Sequence, residues 1–213
     1  AVIAAHPRIW LDGANQDPAS KVCTANPSGD GLLANNCLAD APAAVSAKFK
    51  VLASTATQLR VLIPGDLLLF DWGAAYEGYI SDLTRTFAVE HVEAELRHIA
   101  EIVGQANAAG RTAARPGATA ESVDQAARSI IVEAGYGERF IHRTGHGIGM
   151  ESHEAPYIRS GNKMILQAGM AFTVEPGIYL PGRGGVRIED NVIIGTHEAE
   201  ILSDMPRDLD VLA

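Results

Sequence analysis

Five residues of this sequence have types and settings that could together hold a metal: Asp71, Asp82, His146, Glu175 and Glu189. Asp71 and Asp82 stand eleven positions apart in LLFDWGAAYEGYISDLTRTF, on either side of a Glu77-Gly78 turn signal. An apolar run with an acid near its end leads into the turn. Residues 79–89, rich in aromatic and β-branched side chains, lead out of it, so the stretch reads as a β-hairpin presenting two carboxylates. A carboxylate in such a strand is costly to bury as a charge unless a cation or a dense set of hydrogen bonds meets it. Taken alone, the pair is equally consistent with strand-end acids that face water or pair with Arg85. His146 in HRTGHGIG, Glu175 in FTVEPGIY and Glu189 in GVRIEDN change that balance, because all three sit in apolar, Gly-rich surroundings. One imidazole with four carboxylates is a hard, oxygen-rich donor set. It suits Mn²⁺, Co²⁺, Fe²⁺ or Zn²⁺ in a catalytic centre better than a structural zinc, which favours thiolates.

The elements that must position these groups are legible in the same way. Pro64-Gly65-Asp66 is a turn that launches the hairpin. Val92, Leu96, Ile99 and Val103 recur at helical spacing, which predicts a helix over about 92–114, stopped by Arg115-Pro116-Gly117. Thr119 is the expected N-cap of a second helix, with Glu121 and Asp124 in its early turns, and Gly135 ends it. His142 and His146 are four apart, but Gly145, Gly147 and Gly149 argue against a helix and for a loop or strand. With His153 they make three histidines within twelve residues. Residues 170–176 read as a strand ending in Glu175, 177–185 as a Gly/Pro-rich turn, and 185–194 as one return strand. Alternation along that strand puts Arg187 and Glu189 on one face and Asp190 on the other. Residues 198–202 read as the last strand and MPRDLDVL as a surface close. Tyr79 and Tyr157 are equally readable as pocket lining or as core.

The motifs DWGAAYEGYISDLTRTF, HRTGHGIGMESHE, TVEPGIYLPG and GVRIEDN, in this order, resemble the pita-bread metallopeptidases: aminopeptidase P, prolidase and methionine aminopeptidase. The wording of GVRIEDN and PGIYLPG is similar to the proline-specific branch, and the likeness spans about 64–209. It implies an α+β fold of the creatinase/aminopeptidase kind, an antiparallel curved sheet backed by helices. It implies two divalent metal ions, with Mn²⁺ first among them. In that pattern Asp71 binds one metal, His146 and Glu175 the other, and Asp82 and Glu189 bridge both. Glu175 handles the proton, and His153 and His142 stabilise the tetrahedral intermediate or hold the substrate. Arg187 orients Asp71 or a neighbour from behind the ligands and offsets excess charge, or, in a plainer reading, makes an ordinary strand-edge salt bridge. Tyr157 and Arg159 are candidate substrate contacts, Arg159 for a substrate carboxylate.

The implied activity is hydrolysis of the Xaa-Pro bond at the N-terminus of dipeptides or short peptides with proline second. A proline nitrogen has no N–H, which excludes proteases that bond it. The likeness has two departures. The substrate-contacting His that the family carries seventeen residues before the first metal Asp is Ser54 here. Residues 1–60, rich in Ala, Asn, Gly, Pro and Asp, show none of the two amphipathic helices that open the family's first half, only an Ala-rich turn near 42–50. The chain therefore divides into an atypical or incomplete segment, 1–60, and a catalytic core, 61–213. A competing reading follows: a catalytically impaired pita-bread module that binds peptide or protein. Five intact ligand positions weigh against it. Creatine-type hydrolases fit less well, since those relatives abandon the metal ligands.

Composition sets outer limits. With 213 residues, 47% hydrophobic and 20% charged, the chain can build one domain with a sizeable core. A net charge of −9 without a Lys/Arg cluster argues against nucleic acid. No apolar run reaches membrane-spanning length, so no membrane partner is expected. The start, AVIAAHPR, lacks both Met and a signal-peptide pattern, and reads as a processed or trimmed end. Cys23 and Cys37 make no disulfide framework, and reduced thiols in the cytoplasm are the default. A sheet deprived of its first-half helices would expose apolar surface, which predicts a homodimer or larger oligomer.

Overall fold

The computed structural model of the protein describes residues 9–12, 23–24, 51–52, 59–60 and 62–212. Ser54, Cys37 and the turn expected near 42–50 lie outside them. The early strands are β1 (Ile9–Asp12), β2 (Cys23–Thr24), β3 (Val51–Leu52) and β4 (Leu59–Arg60). The expected hairpin follows as β5 (Leu67–Tyr76) and β6 (Tyr79–Val89). Its turn residues Glu77 and Gly78 both take positive φ, 49° and 90°, the conformation whose twist matches paired strands. Asp71 pairs with Thr84, and Gly73 with Asp82, so the two aspartates share one face of the ribbon.

Two helices come next. In α1 (Ala94–Ala113) the buried residues Leu96, Ile99, Val103, Ala106 and Gly110 recur every three or four positions. α2 (Ala120–Glu133) is capped as expected: the Thr119 hydroxyl accepts from the Ser122 amide, and Gly135 closes the end at φ 86°. Asp124, expected in the early turns of this helix, also has specific partners. It is buried and accepts from Arg128 and from the Thr144 hydroxyl.

The remaining strands are β7 (Gly145–Gly147), β8 (Glu154–Ile158), β9 (Ala171–Val174), β10 (Gly177–Leu180), β11 (Gly184–Arg187), β12 (Asp190–Ile194), β13 (Ala199–Ile201) and β14 (Asp210–Leu212). The first sheet has the order β14-β6-β5-β1-β2 and the second β13-β12-β9-β7-β8. All pairings are antiparallel except that of β14 with β6. The closing segment is therefore a sheet edge and not merely a surface close. The region read as a turn and one return strand is a hairpin, β10 with β11, followed by a separate strand. The break falls at Ile188 and Glu189 because the Glu189 amide leaves the hairpin and donates to the Thr84 carbonyl in the first sheet, at 3.1 Å.

Both helices pack on the second sheet and on this hairpin. One core cluster joins Ile99, Val103 and Ile131 to Ile178, Val186 and Ile188. The other joins Val123 to Phe172, Val174 and Val192. Among the described residues no helix is long and apolar enough to cross a membrane.

Candidate metal centre

The two sheets meet where β6 faces the break before β12, and there the five residues singled out by type gather. Asp71 and Asp82 come from the hairpin, His146 from β7, Glu175 from the end of β9, and Glu189 from the break. β7 can bring its imidazole into the interior only because glycines flank it. A Cβ on Gly145 would stand 1.8 Å from the Thr173 carbonyl oxygen, and one on Gly147 2.3 Å from that of Ala155. Asp82, His146 and Glu189 each offer a ligand atom, and the three atoms lie within 4.8 Å of one another. Glu175 adjoins them, its Oε1 3.3 Å from His146 Nε2, while Asp82 Oδ2 is 3.8 Å from the same nitrogen.

Hydrogen bonds hold each group in place. His146 Nδ1 is 3.1 Å from the Gly147 carbonyl, which can only accept, so Nδ1 carries the proton and Nε2 presents a lone pair. The Thr84 hydroxyl donates to Glu189 Oε2 at 2.5 Å, and the Thr173 hydroxyl donates to Glu175 Oε1 at 3.2 Å. Arg187 is buried beside the site. Its Nη2 donates to Asp71 Oδ2, its Nε to the Thr84 hydroxyl, and its Nη1 to the Tyr179 hydroxyl. That places Arg187 behind Asp71 with three partners, more than an ordinary strand-edge pair. His142 donates from Nδ1 to the Arg143 carbonyl and accepts the Tyr179 proton at Nε2, 2.8 Å away. His153 is exposed, with its ring 4.1 Å from that of His146.

Titration follows from burial. Burial first, then repulsion from Asp71 and Glu175, pushes the Asp82 carboxyl up to about 9. Burial raises Glu175 to about 7, and burial with Asp82 nearby raises Glu189 well above the usual range. Burial lowers His142 and His146 to about 4, and it lowers His153 as well. This protein alone therefore leaves several acids ill at ease. Among the described residues, Asp71 Oδ1 and Asp82 Oδ1 are buried without a hydrogen-bond partner, and a lone pair of His146 points at carboxylate oxygens. Orphaned acceptors converging on one point are what cations would satisfy, so this donor set fits divalent metal.

The other expected contacts lie at the surface. Tyr79 is exposed at the hairpin turn. Tyr157 faces solvent with the Arg143 guanidinium 5.1 Å from its ring, and Arg159 is exposed. Sequence reading did not single out Thr84, Thr173 or Tyr179. The two threonines carried a signal, each being two positions from an acid on an alternating strand and so on its face. Tyr179 was hidden by the reading of its strand as a turn.

Comparison with known proteins gives a consistent result. The model of metallopeptidase family M24 matches residues 33–196. An Xaa-Pro dipeptidase of Lactobacillus delbrueckii subsp. lactis is 52% identical over 132 residues, 62% of this chain and 36% of the relative. A prolidase structure from Thermococcus sibiricus matches with TM-score 0.72 and 48% identity, over 73% of this chain and 42% of that one. An X-Pro aminopeptidase structure from Thermotoga maritima matches with TM-score 0.70 and 41% identity, over 72% and 43%. The chain thus spans less than half the length of these relatives.

Proposed function

Because the chain belongs to metallopeptidase family M24 and has its pita-bread fold, we propose that it is the catalytic part of a metal-dependent exopeptidase that cuts the Xaa-Pro bond at the N-terminus of dipeptides or short peptides. The observation that carries the proposal is the convergence of buried, unpartnered carboxylate oxygens on a free imidazole nitrogen. Asp71, Asp82, His146, Glu175 and Glu189 would hold two divalent cations, Mn²⁺ foremost, since the set is almost all oxygen. Bound there, the cations would supply Lewis acidity toward a peptide carbonyl and acidify water.

The rest of the chemistry belongs to the chain. Glu175, buried beside His146, is the carboxylate that would take a proton and return it, as a general base and acid must. The Thr173 hydroxyl steadies its Oε1. Arg187 orients Asp71. His153, exposed beside His146, is placed to donate to a carbonyl oxygen as charge develops on it. His142 is held by Tyr179 and serves the site by anchoring that hydroxyl.

The test is hydrolysis of an Xaa-Pro dipeptide and an Xaa-Pro-Xaa tripeptide by chelator-stripped protein, with and without added Mn²⁺ or Co²⁺. Metal-dependent release of the first residue is expected, and the preferred length names it dipeptidase or aminopeptidase. Measurable metal binding without turnover of either peptide would overturn the activity and leave a binding module.

A further inference from the structure

Behind the carboxylate cluster, on the opposite side of the same backbone, lies a side chain that the chemistry above does not use. Arg85 follows Thr84 on β6 and is 2% exposed. All five of its N–H groups are engaged. Nε donates to the Pro206 carbonyl at 2.7 Å. Nη1 donates to the carbonyls of Thr84 and Glu189, at 2.8 and 2.7 Å. Nη2 donates to Asp190 Oδ1 and to the Met205 carbonyl, both at 2.8 Å. A guanidinium has five donors in a rigid fork, and here none is spare.

The acceptors come from three segments: β6, Glu189 in the break with Asp190 at the start of β12, and the tail at 205–206. Two of those carbonyls belong to the residues that set the Glu189 carboxylate. Thr84 receives the Glu189 amide on its carbonyl and gives its hydroxyl to Glu189 Oε2. The tail is tied in twice more: Arg207 donates to Asp190 Oδ2 and to the Ser203 carbonyl, and the Asn191 amide donates to the Ser203 hydroxyl.

We propose that Arg85 is a positioning residue for Glu189, and that through it the C-terminal tail is part of the support of the metal centre. The proposal rests on the metal-binding reading above. Among the described residues no strand ladder covers 188–189, so the Glu189 carbonyl has no described neighbouring strand to hold it. Arg85 supplies that hold and draws on the tail for the rest of its own hydrogen bonds. Lysine, with three donors on a flexible stem, cannot span the same five acceptors.

The experiment compares the unaltered chain with Arg85→Lys and Thr119→Ala. Each is stripped with chelator, then titrated with Co²⁺ while the visible spectrum and the dissociation constant are followed. Thermal melts of the metal-free forms run alongside. Thr119 caps α2 through the Ser122 amide and touches neither the tail nor Glu189, so its loss reports a merely structural effect. The expected result is about tenfold or greater weakening of Co²⁺ and an altered spectrum in Arg85→Lys, as for groups that orient a metal ligand. Thr119→Ala should melt earlier, by the loss of a helix cap, yet bind Co²⁺ within about twofold. Equal Co²⁺ affinity and spectrum in both variants, whatever their melting points, would overturn the proposal.

Should Arg85→Lys not fold, hydrogen exchange on the unaltered chain decides. Metal should slow exchange of the 202–212 amides more than those of α2; equal slowing would overturn the proposal. If the unaltered chain itself takes up no Co²⁺, the metal-centre reading has failed first, and positioning falls with it.

Discussion

The two faces of the joint between the sheets are built from neighbouring residues and have opposite character. On the front, Asp71, Asp82, Glu175 and Glu189 crowd together with Arg187 and Arg143 to offset them, and an oxygen of each aspartate has no partner among the described residues. On the back, Arg85, Arg111 and Arg207 surround the single carboxylate of Asp190, which is fully buried and fully used. Thr84 and Glu189 face one way, Arg85 and Asp190 the other. A folded chain normally satisfies its buried polar groups, and the back face does so. The front face does not, and it is the face whose groups have strongly raised carboxyl protonation. The contrast teaches where structure ends and function begins: the same strands supply a finished scaffold on one side and an unfinished donor set on the other.

The largest effect should come from Glu189→Ala. If Glu189 serves both cations, its loss removes both and with them the activity; two tightly bound metals by elemental analysis would reject the bridging role. The second test sets the faces against each other. Asp190→Ala leaves three guanidiniums without their carboxylate and should cost about 3–5 kcal/mol in denaturant melts. Asp82→Asn in metal-free protein should cost little or stabilise, since it relieves repulsion from Asp71 and Glu175. Equal destabilisation by both would break the comparison.

The third test is pH. Asp82 and Glu175 have folded-state values of about 9 and about 7, above the ordinary carboxyl values of about 4 in an unfolded chain. The folded metal-free protein therefore holds more protons, and their contribution to stability is lost as pH rises through those values. His142 and His146, lowered to about 4, act in the opposite sense, but only below about pH 6.5. From about pH 7 to 9 only the carboxylates remain, so the melting temperature of chelated protein should fall across that range. Added metal should flatten the slope; a slope unchanged by metal would place its origin elsewhere. The smallest effect is Thr84→Val, which removes the hydroxyl on Glu189 Oε2 and should weaken metal by about tenfold, read by competition with a chelating dye.

Much of the site is legible in the sequence, because its signals are local. Acids in apolar strands, glycines around a histidine, a turn between two aspartates and capped helices all show in a few consecutive residues. The pairing of Arg187 and Glu189 on one face is legible too, though the strand that suggests it is broken at 188–189. What stays hidden depends on distant partners. The β10–β11 hairpin reads as a turn because its glycines outweigh its short strands. The tail reads as a surface close because nothing within it reveals that β14 lies along β6. Asp124 reads as a helix-start acid, yet it is buried under Thr144 and Arg128.

By itself, then, the sequence determined the donor types, their order and the hairpin that presents the first two, since residue chemistry and turn geometry are properties of short stretches. Only the tertiary structure decided that Thr84 and Thr173 steady the glutamates, that Tyr179 links His142 to Arg187, and that Arg85 joins Glu189 to the tail. Those are contacts between residues up to 121 positions apart. Which distant groups meet depends on how the two sheets pack, and no local pattern encodes that.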